Sequence, residues 1–135
     1  PLQTRYVPVG FMWYEGLARI VDAGATLAGL HAGDPLRVAV EAYPRRVAHA
    51  LLARTSYKNR DDAGRADARA TLLAALESNG ELVPPGADLR RDVLADASGD
   101  RLDAVLCLVQ AARAARLPRF GMPDDVDPVE GWIVG

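Results

Sequence analysis

Apolar residues recur along the chain at two different periods, and the changes between them lay out its elements. Phe11, Trp13, Tyr14, Leu17, Ile20 and Val21 follow helical spacing, entered through the turn Pro8-Val9-Gly10 and stopped by Gly24. After a loop holding Gly29, Gly33 and Asp34-Pro35, Val38 and Val40 alternate with smaller or polar neighbours, which predicts a strand over 36–42. Pro44 suits the first turn of a helix running to about Arg54, with Val47, Ala50 and Leu51 on one face. The charged stretch 55–65 predicts an exposed loop. A helix over 66–78 then ends at Asn79-Gly80, Val83-Pro84-Pro85-Gly86 makes a rigid connector, and a short helix covers 88–95. The strongest periodicity runs from Asp100 to Arg116, where Leu102, Val105, Leu106, Val109 and Ala112 form a stripe. Ser98 or Asp100 can cap its start, Arg113 and Arg116 complement its dipole, and Leu117-Pro118 ends it. Past a loop at 121–128, Gly131-Trp132-Ile133-Val134 predicts a closing strand. No repeat or internal boundary interrupts this order, so 1–135 reads as a single domain.

Composition narrows the class. Of the 135 residues, 50% are apolar and 25% charged, enough for a folded domain with its own core. A net charge of -2 argues against a uniformly basic nucleic-acid coat and leaves room for local patches. Arg carries nearly all the positive charge, Lys58 being the only lysine. The single cysteine, Cys107, excludes an internal disulfide and a zinc finger and suits a reducing compartment, so the expected location is the cytoplasm. No apolar run approaches the roughly 20 residues of a membrane span, and residues 1–10 lack a signal-peptide pattern. No membrane partner is expected.

One set of carboxylates suggests a reaction. Glu41 stands at the C-terminal end of the predicted strand, where open α/β sheets bind their ligands. Asp100 and Asp103 share one side of the first turn of the long helix. Converging carboxylates repel one another unless a cation neutralises them, and Mg²⁺ or Mn²⁺ prefers such oxygen donors. Two ions about 4 Å apart can activate water and stabilise the leaving oxygen of a phosphodiester. The plainer alternative pairs Glu41 with Arg45 or Arg46 and leaves Asp100 and Asp103 as acids complementing the helix dipole.

The segments Val38-Ala39-Val40-Glu41-Ala42-Tyr43-Pro44, Ser56-Tyr57-Lys58, Leu102 to Ala111 and Glu130-Gly131-Trp132-Ile133 occur in an informative order. With Pro8 to Gly16, they resemble domain-of-unknown-function family 429 (DUF429), whose members are described as predicted nucleases of RNase H-like fold. The resemblance implies an α/β, RNase H-like domain with a helix-rich C-terminal portion. It implies Glu41 as the acid of the fourth strand, with Asp103, and Asp100 beside it, as the acids of the last helix. These would be the catalytic and metal-ligating residues for Mg²⁺ or Mn²⁺, while Lys58, Arg45 and Arg46 would position substrate phosphate. The family pattern begins with a three-strand sheet whose first strand carries an Asp. No segment before Pro8 matches it, so that part is expected to lie upstream, leaving a sheet edge open to self-association.

The implied function is metal-dependent hydrolysis of nucleic-acid phosphodiester bonds. The alternative is a catalytically silent RNase H-like binding or interaction domain. Other residues carry plainer expectations: His31 in a loop, His49 on a helix surface, Cys107 as a small buried hydrophobe, and at least one of Trp13 and Tyr14 in the core. The cations from Arg45 to Arg69 are interrupted by Asp61, Asp62 and Asp67, which predicts a solvated, mixed-charge surface.

Overall fold

The computed structural model describes residues 7–127 and 131–135, and the side chains from Gly10 onward. The chain is mixed α/β and rich in helix, and it divides into two compact units. The first comprises Pro1–Glu41 and Met122–Ile133, the second Ala42–Gly121 and Val134–Gly135.

In the first unit, helix α1 (Val7–Asp22) packs against strand β1 (Ala25–Leu27), which pairs in parallel with β2 (Asp34–Ala39). Parallel neighbours normally need a crossover of a dozen or more residues, yet only a tight loop separates these. The loop is clamped from within: Gly33 N–H donates to Thr26 Oγ1, and the Thr26 hydroxyl donates to the Asp34 carbonyl. The register is irregular between Ala25 and Thr26, where the loop joins.

The predicted strand is displaced. β2 begins at Asp34, because the Asp34 carboxylate accepts from Leu36 N–H and the turn is built into the strand itself. It ends at Ala39, so Glu41 lies beyond it in an isolated parallel bridge with Ile133. Among the described residues that bridge is all that forms of the closing strand, and Glu130 of the motif lies outside them. Trp13 and Tyr14 are both exposed, contrary to expectation; α1 turns Leu17, Ile20 and Val21 inward instead.

The second unit is a four-helix cluster of α2 (Pro44–Leu52), α3 (Ala63–Ser78), α4 (Ala87–Ala95) and α5 (Asp100–Ala114). α5 packs on α2 and α4, and α3 on α2 and α4. Val47, Leu72, Leu76, Leu102, Leu106 and Val109 fill the centre. α3 starts three residues before its predicted position because Asp62 caps it, accepting from Arg65 N–H. At the start of α5 the Asp100 carboxylate does not cap. Asp96 accepts from Arg101 N–H and the Ser98 hydroxyl from Asp100 N–H, while Gly99 adopts a left-handed conformation. Arg113 in the last turn grips Glu81 through two bonds of 2.6 and 2.8 Å, holding that carboxyl below the usual glutamate range. No helix among the described residues is long and apolar enough to cross a membrane.

Candidate functional site

The second unit holds a half-buried charged cluster around Asp103. Its position follows from the helical stripe: Leu102 and Leu106 are fully buried, so Asp103, one step along from Leu102, lies at the edge of the core. There Tyr57 Oη donates to Asp103 Oδ1, and Lys58 Nζ donates to Oδ2 at 2.5 Å. Side-chain exposures of 36% for Lys58 and 19% for Asp103 put this pair between surface and interior. A pair so placed interacts more strongly than an exposed one, and losing one partner strands the other.

The loop carrying Tyr57 and Lys58 is fixed by backbone contacts. Asn59 N–H donates to the Ala97 carbonyl, Arg65 Nε to the Lys58 carbonyl, and Arg69 Nη1 to the Tyr57 carbonyl at 3.1 Å. Arg69 is the residue that sequence reasoning misplaced: it is 1% exposed and also donates to the Leu94 carbonyl at 2.8 Å. It is not part of a solvated surface.

Burial raises the Tyr57 hydroxyl's pKa above the usual tyrosine value, and the bond to Asp103 and that residue's negative charge raise it further. A phenol with a raised folded-state pKa favours the fold at every pH below its unfolded value of about 10, and that contribution is lost as pH climbs through the folded value. Titration of tyrosinate absorbance should therefore show one late component, absent from Tyr57→Phe. A Tyr57→Phe titration superimposable on wild type would break the link between Tyr57 and Asp103. Cys107, half-buried beside the cluster, has its thiol pushed up first by burial and then by Asp103, which disfavours the thiolate and a nucleophilic role.

Next to the cluster lies a cavity of about 200 Å³ walled by α2 and the loop that follows it. Arg45, His49, Arg54 and Lys58 line it with Tyr43, Thr55 and Ser56, and no carboxylate is among its lining residues. Arg46 joins Tyr43, Arg45 and His49 on the adjoining surface. Ala53 in the cavity wall has φ 52° and ψ -119°, a backbone conformation that alanine holds only against a strain of about 1–3 kcal/mol.

The predicted acids belong to different units. Asp103 joins Lys58 and Tyr57, Asp100 is exposed at the helix start, and Glu41 belongs to the first unit. Glu41 lines an apolar cavity of about 220 Å³ there, with Met12, Trp13, Leu30 and Trp132. Among the described residues no three His, Cys, Asp or Glu side chains form a group that could hold a metal ion. Both Asp103 oxygens are already engaged by donors. As arranged here, the described residues do not by themselves fit Mg²⁺ or Mn²⁺.

No match was found among curated proteins or among solved structures. A family model, described as a protein of unknown function, matches residues 13–127, a span that includes α2 to α5, Glu41 and the whole Tyr57–Lys58–Asp103 cluster. The chain belongs to the DUF429 family.

Proposed function

We propose that the chain is an RNase H-like domain that acts on nucleic-acid phosphodiester bonds, and that its second unit recognises phosphate. One observation carries this reading: an acid-free, arginine-lined cavity lies directly beside a half-buried Lys58–Asp103 pair. Core packing requires neither feature. The pair costs desolvation that a leucine at position 103 would not incur, and unneutralised arginines at one concavity attract phosphate.

The chain's own residues divide the work. Asp103 and Tyr57 orient the Lys58 ammonium, Arg45 and Arg54 offer guanidinium forks that match phosphate oxygens, and Arg46 extends the positive surface along α2. Mg²⁺ or Mn²⁺, with Glu41, Asp100 and Asp103 as ligands, is what the family resemblance implies for hydrolysis, and the described residues do not by themselves fit the ion. The silent reading, a binding domain that retains the fold, draws on a specific observation, the prior engagement of both Asp103 oxygens.

End-labelled single- and double-stranded DNA and RNA, incubated with the protein in Mg²⁺, Mn²⁺ or EDTA, separate the two. Metal-dependent cleavage that falls about 100-fold or more in Asp103→Asn supports hydrolysis. Binding without cleavage under every condition supports the silent domain, and neither binding nor cleavage sinks both. Size-exclusion chromatography of the same samples shows whether an open sheet edge pairs copies of the chain.

A further inference from the structure

We propose that the cavity between α2 and the Tyr57–Lys58 loop is a seat for a terminal phosphate monoester, the phosphorylated end of an oligonucleotide, and not a track for internal phosphodiesters. The inference rests on the nucleic-acid reading above and narrows its substrate to chain ends.

Charge balance is the first argument. Arg19, Arg37, Arg65, Arg90, Arg91, Arg101 and Arg113 each sit against a carboxylate. Among the described residues Arg45, Arg46, Arg54, Arg60, Arg69 and Arg116 make no salt bridge, and of these Arg45 and Arg54 line this cavity. Lys58, the third cation in the wall, is already answered by Asp103. The cavity therefore carries about two uncompensated positive charges. An internal phosphodiester brings one negative charge, whereas a phosphate monoester brings about 1.5 to 2 near neutral pH and three strong acceptor oxygens.

The donor set is the second argument. Arg45 and Arg54, with Tyr43 and Thr55, line a space of about 200 Å³, a donor set that suits a compact anion with several acceptors; Ser56 also lines it, its hydroxyl donating to the Lys58 carbonyl. Arg45, Arg54, Thr55 and Ser56 are all exposed, so the wall is open to an entering ligand. Tyr43, nearly half exposed and also lining the cavity, supplies an aromatic ring of the kind on which a terminal base can stack.

Fluorescence anisotropy on the full chain tests this with one labelled oligonucleotide carrying a 5′-phosphate, a 3′-phosphate or hydroxyls at both ends. A preference on the order of tenfold for one phosphorylated end is expected, and Arg45→Ala and Arg54→Ala should each abolish it. Both positions are exposed, so unchanged thermal melting is expected and checks that the variants remain folded. Equal affinity for all three oligonucleotides overturns the proposal, as does a preference that survives both substitutions. Equal affinity together with metal-dependent cleavage would leave the nuclease reading standing while this one fails. An end preference without cleavage would do the reverse.

Discussion

Replacing Arg69 with methionine is expected to destabilise the second unit by roughly 2–4 kcal/mol, although methionine fills most of the same space and removes a buried charge. Two effects oppose each other. Arg69 is 1% exposed and has no carboxylate beside it; carbonyl dipoles alone compensate its charge, so its burial is costly. Against this, its guanidinium satisfies the carbonyls of Leu94, at the end of α4, and Tyr57, in the loop before α3. Buried acceptors left without donors cost about 1–3 kcal/mol each. We expect the second effect to win because the fork serves two separate segments at once and fixes their spacing. Urea unfolding followed by circular dichroism reads the difference. Arg69→Lys should fall between wild type and methionine, since one ammonium cannot reproduce the fork. A methionine variant as stable as wild type would show that desolvation cancels the carbonyl bonds. The site should respond as well: with its carbonyl released, Tyr57 should lose part of its late ionisation.

The buried role of Arg69 was visible in the sequence. Arg69, Leu72, Leu73 and Leu76 stand at i, i+3, i+4 and i+7, so the arginine shares the apolar face of α3, and all four are buried. Reading residues 45–69 as one charged segment hid that phase. Helices α1 and α5 were legible because their patterns run for several turns, and α2 because Pro44 marks its start. β1 was not, since three residues cannot establish an alternation. Asp34-Pro35 looks like a turn, yet in the structure it opens β2, where proline is tolerated near a strand's start. Asp103 stood out by its place on the last helix, and Tyr57 and Lys58 only through the family motif. Their meeting joins positions 45 and 46 residues apart, which no local pattern encodes. The acid-free cavity was illegible for a related reason: Asp61, Asp62 and Asp67 sit among the arginines in sequence, but none of them lines the cavity.

Gly99→Ala should be the most disruptive single-methyl change near the site, costing roughly 2–4 kcal/mol and loosening Lys58 from Asp103. Gly99 has φ +82°, the left-handed region that a side chain disfavours by about 1–2 kcal/mol. It also lies where the chain before α5 passes under the Lys58 loop, and a β-carbon there would stand 2.5 Å from Lys58 Cβ and 3.5 Å from its Cα. The first of these is a stem atom set by the backbone, so rotating the side chain cannot relieve the clash and the loop must move. Asn59 N–H, bonded to the Ala97 carbonyl, would move with it. Gly80→Ala supplies the control, because Gly80 has a similar φ of +70° and open space around its missing β-carbon. It should cost only the conformational part, about 1 kcal/mol. The excess of Gly99→Ala over Gly80→Ala in urea unfolding then measures the close approach itself. The same displacement should weaken oligonucleotide binding in Gly99→Ala under conditions where the protein remains folded, while Gly80→Ala binds as wild type does. If the two variants lose equal stability and bind alike, Gly99 serves only the turn into α5, and the Lys58 loop does not depend on it.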